Sequence, residues 1–594
     1  MLSVITDELT AIIQTAIANA CGAGEFALNL ADLTIKLEKP ANKQHGDFSS
    51  NIALTLKKLT GIADSREIAH TIVKFLPTNS TLLNRAEVAG PGFLNLYLNP
   101  DWLHNTLTTI QELKAGYGTS TGREGQNILV EFVSANPTGP ISVVNGRAAA
   151  LGDVLCNLFV SQGAKVGREF YINDALNSLQ LEKFAFSVAL RYLQELGHSV
   201  LVPVSGPDDN DVTEPGTGET SAEPTLEFPK DGYRGEYVRD IARDIVIEIG
   251  AKYAYPLALG AEGMAYFRAA TLEKMVATQR RALEAFGIKF DTWFYESSLY
   301  ESGAVDRAIR LLRERNMAYE KDGALWLRSS EFGDEKDRVL VRSNEKATYV
   351  AADAAYHDNK LTRGYNHLID IWGADHHGYV ARLKAGVAAL GHDTSHLEIV
   401  LTQMVSLVRD GEAVIGGKRK GAVIELEQDL IDEVGRDAAR FYFLLNSYET
   451  PATVDVELAK KQSMDNPVYY VQYAHARLCS IMQKVADELT VMSSEIDLSL
   501  LTHPAELDVM RKLADYPAEV TVAADLYAPH RLTRYAMEIA GILNVFYENC
   551  RVISGKDDLV SPELSRARLE LVSSARIVIA NLLGLLGVSA PQKM

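Results

Sequence analysis

Cysteine is scarce in this chain, and positive charge runs well short of negative. The four cysteines (Cys21, Cys156, Cys479, Cys550) lie scattered through 594 residues and form no CxxC pair. That pattern argues against a disulfide scaffold and against a zinc site, and it suggests a reducing cytoplasm. Lys and Arg number 59 against 78 Asp and Glu, a formal charge of −19. Taken alone, this balance speaks against a nucleic-acid binder, although local basic patches can coexist with an acidic whole. No apolar run approaches the length that spans a bilayer, so no membrane association is expected. The N-terminal MLSVITDELTAIIQTAIANA carries acid but no early Lys or Arg, and it reads as an amphipathic helix, not a targeting peptide. What is present, 47% hydrophobic and 23% charged residues, is globular, and the length suits three or four domains.

The most informative stretch is ILVEFVSANPTGPISVVNGRAAALGD, residues 128–153. Ile128 to Val133 is an apolar, β-branched run of strand length. A loop with Pro137, Gly139 and Pro140 follows. Helical periodicity then runs from Ala148 to Gln162, with Gly163 where a C-cap belongs. Strand, glycine-containing loop and helix N-terminus together suggest a phosphate-binding corner of a doubly wound sheet. Free backbone N–H groups and the helix dipole favour an anion there. On geometry alone, an ordinary βα turn reads the same way.

From about 120 to 400, strand and helix patterns alternate, as in a parallel sheet with crossovers. Within a subdomain inserted at about 180–260, the segment 203–229 is rich in Pro, Gly, Ser and Thr, holds seven acids and lacks Lys and Arg. It reads as a mobile surface loop. The unit 1–112 opens with a helix, has a second near Asn51 to Leu59, and ends in the strand-like FLNLYL. After a connecting region at 401–460, residues 461–594 are almost wholly helical. GADHHG (373–378) follows the strand-like LIDIW (368–372), so it stands at a strand's C-terminal end, where doubly wound sheets bind ligands. A metal reading of His376 and His377 is weak, because adjacent residues seldom converge on one ion.

The wording of these stretches resembles the class I arginyl-tRNA synthetases. The likeness covers nearly the whole chain: VEFVSANPTGP, HGDFSSN (45–51), EVAGPGF (87–93), REFYIND (168–174), GYRGEY (232–237), IDIWGADHHGY (369–379), LIDEVGRDAARF (430–441), DNPVYYVQYAHAR (465–477) and NVFYENCRV (544–552). It implies an α/β fold: a Rossmann-like catalytic domain with an added N-terminal α+β domain that touches the tRNA elbow, and a C-terminal helix bundle that reads the anticodon. It implies ATP with Mg, L-arginine and arginine tRNA as substrates, no bound metal or organic cofactor, and a monomer in the cytoplasm. Arginine's carboxylate would attack the α-phosphate of ATP, and the terminal ribose hydroxyl of tRNA would then take the arginyl group. Positioning and charge stabilisation carry such a reaction.

Carried over position by position, the resemblance puts Glu131, Ser134, Asn136, Tyr349, Asp353 and His376 around arginine. A forked cation is best met by carboxylate in a partly dry pocket. Tyr349 and Asp353, four apart, share a face if they lie on a helix. Val143, Val144, Gly373, Asp375 and Gly417 fall at ATP, and Ser142, Asn145, Lys418 and Arg419 at the catalytic positions. Asn51, Tyr469, Tyr473, His475 and Tyr547 fall on the tRNA side, where unstacked bases rest on aromatic and guanidinium planes.

Three departures fall in the ATP and substrate region. Ser142-Val143-Val144-Asn145 stands where the family has His-Val-Gly-His. Ser142 and Asn145 can still donate but carry no charge, and losing such a donor typically costs about two to three orders of magnitude in rate. Val144 replaces a glycine that lets adenine approach the backbone. Ile415-Gly416-Gly417-Lys418, followed by Arg419 and Lys420, replaces Lys-Met-Ser-Lys. Leu176 and Ser178 replace Gly and Gln, with Gln180 a possible substitute. Two expectations remain: an arginine–tRNA ligase with a rebuilt ATP site, or an inactive or repurposed paralogue that binds tRNA or arginine. The complete tRNA-facing segments favour the first.

Overall fold

The computed structural model describes residues 2–28, 33–40, 42–175, 178–201, 226–254, 260–414, 424–486, 496–554 and 559–594. The loop expected at 203–229 and the Ile415–Lys420 signature, with Gly417, Lys418 and Arg419, lie wholly or almost wholly outside the described residues, as does Leu176.

The N-terminal unit packs α1 (Leu2–Gly22), α2 (Ile52–Thr60) and α3 (Ser65–Lys74) around an antiparallel sheet of β1 (Leu37–Glu38), β2 (Phe48–Ser50), β3 (Leu83–Ala89) and β4 (Phe93–Leu98), in the order β1-β2-β4-β3. Helix α4 (Asp101–Leu113) leaves this unit.

The centre is a five-stranded parallel sheet of β5 (Asn127–Glu131), β6 (Lys165–Ile172), β7 (Thr292–Tyr295), β8 (His367–Gly373) and β9 (Leu397–Thr402), in the order β9-β8-β5-β6-β7. The first strand is central, the next two lie on one side and the last two on the other, so the order reverses between β5 and β8. Ile128 and Val130 of β5 are buried on the face covered by α5 (Val143–Ser161), while Leu129 packs with Leu368 and Leu383 on the opposite face. A strand buried on both faces must be apolar throughout, which is why it reads as a continuous run without alternation.

Between β6 and β7, the insertion packs α6 (Leu179–Glu195), α7 (Glu236–Ile249) and α8 (Ala261–Ala285) around Phe184, Tyr192, Ile241 and Phe267. Between β7 and β9 come α9 (Tyr349–Thr362) and α10 (Val380–Ala389).

The C-terminal region is a bundle of α11 (Pro467–Ala486), α12 (Pro504–Asp525), α13 (His530–Asn549) and α14 (Pro562–Leu586), against which α4 also packs. Among the described residues, two helices, α5 and α14, are long and apolar enough to cross a membrane. The most apolar windows are 78% and 61% buried within the fold, as expected of core helices.

Candidate active site at the sheet's switch point

The corner after β5 is built differently from its sequence reading. The strand ends at Glu131, two residues early, because Val133 takes φ +71° and Ser134 φ +37°. The Ser134 N–H donates to the Phe132 carbonyl (3.0 Å), closing a γ-turn centred on Val133. A β-branched residue in that conformation is strained by about 1–3 kcal/mol. The turn is held from outside: Ser134 Oγ donates to Glu131 (2.8 Å) and accepts from the Tyr171 N–H (3.1 Å).

Helix α5 begins at Val143, five residues before its apolar periodicity becomes legible, because Ser142 caps it. The Asn145 N–H donates to Ser142 Oγ (3.4 Å), and Asn145 Oδ1 accepts from both the Ser142 N–H (3.2 Å) and Ser142 Oγ (2.7 Å). This reciprocal capping box satisfies donors that a helix start leaves unpaired. Residues 141–143 are also tied to 424–426: the Val143 N–H donates to Ile424 (3.1 Å), and the Leu426 N–H to Ile141 (2.8 Å).

Helix α9 delivers charge to the sheet along one stripe, with Asp353, Tyr356, His357, Lys360 and Arg363 at helical spacing. Lys360 is fully buried between Glu131 (2.5 Å) and Asp370 (2.7 Å). Burial works against its charge, yet the two carboxylates hold the ammonium above its ordinary pKa. Burial would likewise raise Asp370, but Lys360 and His357 (2.7 Å) hold it low. Arg363 grips Glu169 with two bonds (2.6 and 2.8 Å), and the Tyr356 hydroxyl adds a third (2.7 Å).

Asp353 differs. It accepts from the Tyr379 hydroxyl and has no cation within ion-pair reach among the described residues. Burial, with help from nearby Glu131, pushes its carboxyl above the usual range. Beside it, Glu296 follows β7, is 2% exposed and is raised to about 7, chiefly by burial and further by Asp353 and Asp174, against the Tyr171 hydroxyl. Sequence reasoning missed Glu296; its only signal was an acid directly after an aromatic strand, TWFYE.

Above these groups, between the ends of β5 and β8, lies a cleft of about 390 Å³. Of the expected residues, Glu131, Ser134, Val144, Asn145, Tyr349, Asp353, Gly373 and His376 line it. Tyr349 and Asp353 do share the face expected of them. Four other expected residues do not line it. Val143 turns its side chain into the core (3% exposed), since the first turn of α5 packs inward there. Asp375 points to solvent. Asn136 lies next door, in a polar side cleft, where it donates to Gln180 (3.2 Å). Ser142 has its one hydroxyl proton committed to Asn145 and is not a free donor. Ser178 likewise caps α6, leaving Gln180 to reach Asn136. Asn173 borders both clefts, and its buried Oδ1 has no partner among the described residues.

On the bundle, Tyr469 and Tyr473 stack (centroids 6.1 Å, 16°) with half-buried rings, and the Arg477 guanidinium lies 4.0 Å from the Tyr547 ring centre. His475 is corrected: its ring is buried and bonded to the Pro591 carbonyl (2.8 Å), a core histidine. Asn51 is a half-buried helix cap whose side chain makes no cap bond.

Comparison with known proteins agrees with this architecture. Residues 7–98 match the arginyl tRNA synthetase N terminal domain, and residues 471–594 the DALR anticodon binding domain. The chain is 44% identical to the arginine–tRNA ligase of Moorella thermoacetica, over 99% of this chain and 98% of that one. It is 43% identical to that of Carboxydothermus hydrogenoformans, over 95% of each. The Thermus thermophilus arginyl-tRNA synthetase structure superposes with a TM-score of 0.67 at 21% identity, covering 99% of this chain and all of the other. Full-length identity at this level, on a sheet whose switch point carries an acidic cleft, establishes that the chain belongs to the arginyl-tRNA synthetase family.

Proposed function

We propose that this protein is an arginine–tRNA ligase, activating L-arginine with ATP and Mg and passing it to the 3′ end of arginine tRNA. The observation that carries the reading at the site is Asp353: a buried carboxylate at the cleft, held above its usual pKa, with no cation at hand among the described residues. A guanidinium would supply the missing counter-charge, with Glu296 behind it and the exposed Tyr349 ring at the rim. Glu131 already has Lys360. Its part is then to hold Ser134 and the γ-turn, rather than to meet the substrate directly. The unpartnered Asn173 Oδ1 suits the α-ammonium of the amino acid. That geometry leaves the arginine carboxylate facing the α5 end of the cleft, where Val144 and Asn145 meet ATP.

In this reading the bundle's Tyr469–Tyr473 stack and the Arg477–Tyr547 pair form the anticodon side, and the N-terminal unit meets the tRNA elbow. The four free cysteines suit a reducing compartment such as the cytoplasm. Charging of arginine tRNA with labelled arginine, ATP and Mg tests the proposal. Charging dependent on all four components is expected; its absence at high enzyme concentration would favour the inactive paralogue.

A further inference from the structure

Resting on that reading, we propose that Ser142 and Asn145 are positioning residues. As an interlocked pair they set the first turn of α5 against the ATP end of the cleft, and they do not act as two independent replacements for phosphate-binding side chains.

Three observations carry this. Ser142 has one proton to give, and it goes to Asn145 Oδ1; Asn145 Oδ1 in turn accepts twice from Ser142. The Ser142 hydroxyl therefore cannot donate to phosphate while the box is closed. The second is the clamp outside the box. The Val143 and Leu426 N–H groups bond across to Ile424 and Ile141, and a Cβ on Gly146 would fall 2.5 Å from Leu426 and 3.0 Å from Phe443. The turn cannot slide into its neighbours, so its remaining freedom is to unwind, and the Ser142–Asn145 pair is what prevents that. The third is exposure to the cleft: Val144 and Asn145 line it, so any unwinding moves groups at the site itself.

The test is a double-mutant cycle on the full-length protein: Ser142→Ala, Asn145→Ala and the pair, with Ser142→Thr as the conservative variant. tRNA charging is followed with ATP varied and arginine and tRNA saturating. Breaking the box from either side should lower kcat/KM for ATP by about tenfold, the scale of a lost helix cap. The double variant should be no worse than the poorer single, because one box is lost once. Ser142→Thr should recover most of the loss, and arginine affinity, read by calorimetry, should be unmoved in all four.

Losses that multiply in the double variant to about a hundredfold would overturn the proposal and show separate phosphate contacts. A harmless Ser142→Ala would overturn it as well. An unsubstituted protein that charges no tRNA would overturn both this inference and the function it rests on, whereas multiplying losses in an active enzyme leave that function standing.

Discussion

The two ends of the cleft are made of opposite materials. At the α9 end, Asp353 lines the cleft with the buried Glu296 near it, and neither forms an ion pair among the described residues; beside them, Lys360 and Arg363 give each of Glu131, Glu169 and Asp370 a cation partner. At the α5 end, the described turn carries no charge, and its polar side chains bind each other. The difference teaches how this chain divides its work. On the proposed reading, recognition of a cationic amino acid rests on buried carboxyls that a proton relieves in the free protein and a guanidinium relieves in the complex. On the same reading, ATP is met by geometry, in a turn fixed by neutral caps. Lys360 is what keeps the two apart, since it removes Glu131 from the set of carboxylates awaiting a partner.

The comparison breaks most visibly at Asp353. Asp353→Asn should raise the KM for arginine by on the order of a hundredfold or more, the scale of deleting one partner of a buried charge pair, while the KM for ATP changes little. Steady-state charging with each substrate varied in turn checks this. Lys360→Met leaves Glu131 and Asp370 buried with no ammonium between them, and it should destabilise the fold by about 3–5 kcal/mol. Urea unfolding of the two proteins, compared at constant slope, reads that loss.

pH sharpens the contrast. Glu296 is raised in the folded protein to about 7, so the free protein holds a proton there that arginine must displace. Arginine binding should therefore tighten as pH rises through about 7 and release part of a proton below it. Calorimetry in buffers of different ionisation enthalpy measures that release. The same group makes the free fold less stable as pH rises from its unfolded value through about 7, because the unfolded chain ionises first. The smallest effect belongs to Val144→Gly. Removing the side chain opens the ATP end, at a helix cost of roughly a few tenths of a kcal/mol; a few-fold drop in the KM for ATP with a slightly lower Tm is expected.

Much of this was legible in the chain. The parallel sheet and the placement of GADHHG at a strand end follow from the strand and helix patterns; the residue wording adds the family and, through it, singles out Tyr349 and Asp353, whose spacing gives a shared face on a helix. What was not legible depends on three-dimensional closure. Ser142 reads as a free donor until its hydroxyl is seen to give its one proton to Asn145 Oδ1. Val133 reads as strand until its backbone turns to φ +71° to let Ser134 bridge Glu131 and β6. Glu296 gives no local pattern, since its character comes from burial beside Asp353 and Asp174, both distant in sequence. His475 reads as part of an exposed aromatic face because the carbonyl that claims it, Pro591, lies more than a hundred residues away.

The most direct measurement is the affinity of the free protein for L-arginine near pH 8, by calorimetry, in the unsubstituted chain and in Asp353→Asn. If unmatched carboxylates read the amino acid, the unsubstituted chain binds arginine and the substitution weakens binding by about two orders of magnitude or more. Equal affinity in the two proteins would contradict that account and place arginine recognition elsewhere in the molecule.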